Sequence, residues 1–89
     1  MSTPEHDEVL AWAQGHLAGL LATTPESLDP RADFDALGVD SALAVSLLME
    51  IEDRYGVDLP PESLFENPTL AAVVDTVVAQ RAGAAAPQP

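Results

Sequence analysis

Breaks at Pro25, Pro30 and Gly38, at Gly56, Pro60 and Pro61, and at Asn67 and Pro68 cut this chain of 89 residues into stretches whose apolar side chains recur at helical spacing. A chain of this length holds one small domain with one modest core. The first stretch opens with Thr3 as N-cap and Pro4 at the first helical position, and Val9, Leu10, Ala13, Leu17, Leu20 and Leu21 then line one side to about Ala22. Gly15 weakens that helix by about 1 kcal/mol relative to alanine, and Trp12 falls off its apolar stripe, toward a rim. A central helix runs from Ser41 to about Tyr55, with Gly56 as its C′ residue. A short third helix is expected over about 61–66. Thr69 caps a last one over about 70–81, where Leu70, Val73, Val74, Val77 and Val78 keep helical period although so many valines also suit a strand.

Residues 23–40 read as a long loop pinned by Leu28, Phe34 and Leu37, and residues 82–89 as a disordered linker or tail with nothing to bury. The expected fold is therefore all-α: a small four-helix bundle of three main helices and a short third one, occupying 1–81. Hydrophobic residues make up 47% of the chain and aromatic ones 4%, so the core must be built from Leu, Val, Ile and Ala. No cysteine is present, which excludes disulfides and thiolate metal sites; any thiol chemistry must be imported.

Fifteen acidic residues face three arginines and no lysine, for a formal net charge of −12. Nucleic acid and anionic lipid surfaces are repelled by such a chain. Eleven of the fifteen acids lie between Glu26 and Glu66, which suggests a basic partner docking on the middle of the chain; the plainer reading is that they keep a small domain soluble. No apolar run approaches a membrane span and the N-terminus lacks the pattern of a signal peptide, so a cytoplasmic location is expected.

Projected at 100° per residue, the central helix places Ala44, Leu47, Leu48, Ile51 and Tyr55 on one side, with Leu43 at its edge. On the opposite side stand Ala42, Val45 and Met49, bordered by Glu52 and Asp53. A one-sided bundle helix does not need this second apolar strip. It is a candidate docking surface with an acidic rim, unless Val45 and Met49 pack on the long loop. Ser41, at the start of this helix and after a flexible turn at Gly38, presents its hydroxyl beside unpaired helix N–H groups, where a phosphate ester is favoured by the helix dipole.

The run Leu37, Gly38, Val39, Asp40, Ser41, the helix ending Tyr55, Gly56, Val57, then Leu59, Pro60 and the Leu64, Phe65, Glu66, Asn67, Pro68, Thr69 run resemble, in order, the acyl carrier protein family, over roughly residues 5–81. The resemblance implies a 4′-phosphopantetheine arm on Ser41, moved there from coenzyme A by a phosphopantetheinyl transferase. It implies acyl groups held as thioesters on the arm's thiol and shown to ketosynthase, acyltransferase and other synthase enzymes, with the isolated domain monomeric. Ser41 is then a substrate position and no catalytic nucleophile. Asp40 would repel a phosphate, so its expected role, like that of Ala42, Val45, Met49, Glu52 and Asp53, is partner recognition. The stretch Ala44, Val45, Ser46, Leu47 and the Leu64 to Thr69 run are more similar to polyketide synthase carriers than to fatty-acid ones. Two positions depart from the commonest pattern: Ala42 stands where leucine often follows the serine, a variation similar to carriers of iterative, including enediyne-type, synthases, and Ser46 stands where glutamate is frequent.

An enzyme would need a nucleophile with a base, or a metal cluster. The two histidines, His6 and His16, lie almost three turns apart on the first helix, and no nucleophile elbow or phosphate-cradling glycine loop occurs. Two other readings stand beside the polyketide carrier: a peptidyl carrier of a nonribosomal synthetase, and an unmodified acidic helical module that binds a protein through the central helix.

Overall fold

The computed structural model describes residues 4–62 and 66–85. Three α-helices occur among them: α1 (Pro4–Leu21), α2 (Ser41–Tyr55) and α3 (Leu70–Ala85), with a 3₁₀ turn at Pro25–Ser27 in the first connection. No strand is present among the described residues beyond an isolated antiparallel bridge between Asp33 and Thr69. The capping role expected of Thr3 lies outside the described residues, as does the middle, 63–65, of the short helix expected over about 61–66; of its ends, Pro61 and Glu62 stand in a turn and Glu66 is helical.

α1 packs on both other helices and on the 3₁₀ turn. Its Val9, Ala13, Leu17 and Ala18 meet Ala44, Leu47, Leu48 and Ile51 of α2 and Leu70, Val73, Val74 and Val77 of α3 in one aliphatic core. The expected stripe needs one correction: Leu20 is 40% exposed, whereas Ala18 is buried. Gln14 Nε2 donates to the Leu28 carbonyl at 3.0 Å, which ties the loop to α1. At the opposite end of α1, Arg81 Nε–H donates to Glu5 Oε2 at 2.8 Å and His6 Nε2 bonds Asp75 Oδ1 at 2.9 Å, fastening the first turn of α1 to α3.

Each helix end has a local cause. α1 stops in a left-handed turn at Ala22, φ 55°, where Thr23 N–H reaches back to the Ala18 carbonyl at 2.9 Å. α2 stops at Gly56, φ 66°, whose N–H donates to the Glu52 carbonyl. α3 starts with Thr69 Oγ1 accepting the Ala72 N–H at 3.2 Å. It continues through Ala85, past the end expected near Arg81. Alanine has the highest helix propensity, in keeping with a helix that runs on through Ala82, Ala84 and Ala85.

The long connection from α1 to α2 is tied down by backbone hydrogen bonds. Phe34 N–H donates to the Pro68 carbonyl at 2.8 Å and Ala71 N–H to the Pro30 carbonyl at 2.8 Å, stapling the loop to the entry of α3. Leu28 and Phe34 are buried as expected of anchors, and Leu37 is half-buried; Val39, which the periodicity did not single out, is also buried.

Candidate functional site

A tight turn over 34–38 delivers the chain to α2. Val39 N–H closes back on the Phe34 carbonyl at 2.9 Å and Gly38 N–H on that of Asp35 at 3.2 Å, with Gly38 in the left-handed region at φ 82°. The flexible turn expected at Gly38 is thus a fixed one, and glycine is there for its backbone conformation. Val39 then plunges into the core at 3% exposure, while its neighbours Asp40 and Ser41 remain exposed. A buried residue followed directly by two exposed ones holds the Ser41 hydroxyl at the surface.

Asp40 is the N-cap of α2. Its backbone is extended, φ −84° and ψ 176°, and Oδ1 accepts the Leu43 N–H at 2.8 Å, while its carbonyl accepts from Ala44 N–H at 2.9 Å. This revises the electrostatics expected of the helix start. The carboxylate already interacts with the positive end of the dipole, so a phosphate on Ser41 would share that end with a negative charge. Ser41 is the first residue of α2, and the side chain of the cap reaches past it without covering it.

Beside Ser41 opens a depression of about 360 Å³. Its apolar side is formed by Phe34, Val39, Ala44, Val45, Pro61 and Pro68, and Asp35 and Asp40 stand at it with Ser41. The loop, the start of α2 and the approach to α3 all contribute, which the staples at Pro30 and Pro68 make possible. A flexible arm carrying amide and gem-dimethyl groups fits such a surface chemically, since apolar walls and a few polar edges lie within reach of one exposed hydroxyl.

A family model described as "Phosphopantetheine attachment site" matches residues 11–77. The chain belongs to that phosphopantetheine-attachment family. Its members carry 4′-phosphopantetheine covalently. A type I polyketide synthase of phenolphthiocerol synthesis from Mycobacterium marinum is 41% identical over 54 residues, covering 61% of this chain and 3% of that protein. Mycoketide-CoA synthase from Mycobacterium tuberculosis is 34% identical over 79 residues, covering 84% of this chain and 2% of the relative. The chain thus spans only a few hundredths of the length of these relatives. A free-standing peptidyl carrier protein from Acinetobacter baumannii has a similar solved structure, with a TM-score of 0.78 and 26% identity over 89% of this chain and 99% of that one. The fold is that of an all-α carrier protein, and its sequence is most like those of polyketide synthase carriers.

On this phosphopantetheine-attachment domain, the second strip of α2 divides. Ala42 is exposed and Met49 is 61% exposed, whereas Val45 is half-buried and lines the depression together with the loop residues Phe34 and Val39. Val45 thus faces a depression it shares with the loop, whereas Met49 stands on an open surface. Asp53 is exposed. Glu52 is half-buried, and its Oε2 accepts the Leu59 N–H at 2.7 Å, so one oxygen of the expected rim is committed to holding the segment after α2. Asp40, Ser41 and Ala42 with Val45 are therefore brought together, and Glu52 has a structural duty besides. Sequence reasoning missed the capping role of Asp40, although an Asp directly before a helical pattern is a recognised N-cap signal. It also missed Pro61 and Pro68 beside Ser41, for which no local signal existed. No grouping of His, Asp and Glu capable of holding a metal occurs among the described residues, and no helix there is long and apolar enough to cross a membrane.

Proposed function

We propose that Ser41 is the attachment point of the 4′-phosphopantetheine arm and that the domain holds polyketide intermediates on it. The observation that supports this most directly is an exposed serine fixed as the first residue of α2 by a left-handed Gly38, a buried Val39 and the Asp40 cap. In the loading reaction the Ser41 Oγ forms the new P–O bond and gives up its proton, while the phosphoanhydride of coenzyme A breaks and adenosine bisphosphate leaves. Once bound, the arm supplies the thiol that this chain lacks, and with it thioester chemistry. The chain's own residues supply placement. Phe34, Val39 and Val45 offer apolar contact beside the attachment point, and Ala42 and Met49, with Asp40 and Asp53 at their margin, offer a partner a small surface to grip.

The domain is in this reading non-catalytic and cytoplasmic. Its partners are a phosphopantetheinyl transferase, a ketosynthase, an acyltransferase and further synthase enzymes. Few apolar contacts combined with screened acidic steering suit fast and reversible exchange among several such partners. Incubation with coenzyme A and a promiscuous transferase, followed by intact mass measurement, tests it. A gain of one phosphopantetheine on the wild type and none on Ser41→Ala is expected; no gain, or the same gain on both, sinks the assignment. A peptidyl carrier is the second reading, favoured by the likeness to the free-standing Acinetobacter carrier. Loading the holo-protein with malonyl or aminoacyl groups by cognate acyltransferase or adenylation enzymes separates the two.

A further inference from the structure

After α2 the chain runs back along that helix toward Ser41. Gly56 ends the helix, and Pro61 lines the depression beside Ser41 together with Ala44 and Val45. Val45 lies eleven residues before Gly56, about 17 Å along the helix at 1.5 Å rise per residue. The five steps from Gly56 to Pro61 span about 17–18 Å when extended. The return leaves little slack, and neither helix nor turn forms from Val57 to Pro60.

This segment is gripped at the end remote from Ser41. Asp58 N–H donates to Gln80 Oε1 at 2.8 Å and Gln80 Nε2 donates to the Asp58 carbonyl, so one side-chain amide of α3 pairs with both backbone groups of one residue. Asp58 is exposed, where water is at hand for those groups; what the two-point grip adds is position. On the next residue, Leu59 N–H donates to Glu52 Oε2 at 2.7 Å and the side chain is buried. Gln80 is half-buried and its neighbour Arg81 is tied to Glu5 of α1, so the clamp stands on a fastened part of α3. Two consecutive prolines follow. Their rings set φ at Pro60 and Pro61, and each restricts the residue before it, Leu59 and Pro60, to extended backbone. Little torsional freedom remains between the clamped Asp58 and the wall of the depression.

We propose that Gln80 is a positioning residue for the site at Ser41: by clamping Asp58 it fixes, through Leu59 and the two prolines, where Pro61 stands in the wall of the depression. Pro61 is exposed, so an enzyme that reaches the Ser41 hydroxyl meets it there. The reacting Oγ lies outside the clamp. Loss of the clamp therefore weakens the hold of a transferase on the domain and leaves the chemical step alone, which raises KM and preserves kcat. That consequence for loading rests on Ser41 being the attachment point; the control of the wall by Gln80 does not.

The unloaded 89-residue protein is compared by methyl and amide NMR as wild type, Gln80→Ala, Pro60→Ala, the double variant and Asp75→Ala, which gives up a contact of α3 with α1 and leaves 57–61 untouched. Gln80→Ala is expected to shift or broaden the Val45 methyl and Ser41 amide signals, and Asp75→Ala to leave them in place. Pro60→Ala loosens the link and is expected to move the same signals with Gln80 intact. Adding Gln80→Ala to it should then change little more, because both act through one path. Val45 and Ser41 signals unmoved in Gln80→Ala overturn the proposal, since Leu59 and Glu52 then hold the segment by themselves; full additivity in the double variant overturns transmission through the prolines. Transferase kinetics give the second readout: KM raised in Gln80→Ala with kcat near that of wild type is expected, and an unchanged KM overturns the role in loading. A wild type that takes up no arm sinks the Ser41 assignment instead, and the spectra of the unloaded protein still decide the clamp.

Discussion

Asp40 Oδ1 accepts the Leu43 N–H at 2.8 Å, so the residue that precedes the exposed Ser41 also starts the helix that presents it. The capping role of this carboxylate and the recognition role proposed for it can be pulled apart by substitution. Asp40→Ala should lose about 1 kcal/mol, the usual value of an N-cap, read as a drop of about 4–8 °C in melting temperature for a domain of this size. Asp40→Asn keeps a capping oxygen while removing the charge. It should melt within about 2 °C of wild type, so slower conversion to the holo form by a transferase would then isolate recognition from stability.

Two left-handed residues should respond in opposite directions. At Gly38, φ 82°, an added Cβ meets open space, so Gly38→Ala carries a backbone penalty alone, roughly 1–2 kcal/mol. Ala22, φ 55°, already bears such a penalty, and Ala22→Gly should gain up to about 1 kcal/mol, reduced by glycine's extra freedom in the unfolded chain. Urea denaturation of both variants checks the signs; Gly38→Ala as stable as wild type would show that the turn relaxes.

Met49 is 61% exposed on the face that begins at Ser41. Met49→Ala should leave stability within about 0.5 kcal/mol, as surface substitutions do. Its effect belongs in partner kinetics: a raised KM of a cognate ketosynthase for the loaded carrier, with kcat nearly unchanged. An unaltered KM would remove Met49 from the docking face.

Glu52 Oε2 holds the Leu59 N–H at 2.7 Å, beside the buried Leu59 side chain. Glu52→Ala should cost about 1–3 kcal/mol by stranding that donor, and Glu52→Gln less because an acceptor remains. Hydrogen exchange at the Leu59 amide distinguishes this from general destabilisation: it should quicken in Glu52→Ala more than exchange at core amides of α1 does.

What the chain disclosed in advance follows from how local each signal was. Val73, Val74 and Val77 could be placed on a helix because their spacing is a property of neighbours a turn apart, and Gly56 could be placed at a helix end because only its own φ was at stake. Ser41 stood out for the same reason. Pro68, by contrast, reaches the depression beside Ser41 through a hydrogen bond to Phe34, more than thirty residues earlier, and nothing near either residue announces the other. Leu20 had the right period and the wrong environment: it remains exposed while Ala18, two residues earlier, is buried. Asp40 was read for its charge alone, while its geometry made it a cap.

The contacts of Glu5 with Arg81 and of His6 with Asp75 bring the opening turn of α1 against the later turns of α3. Within a longer polypeptide, a unit so closed would hang from neighbouring points like a pendant on a doubled cord.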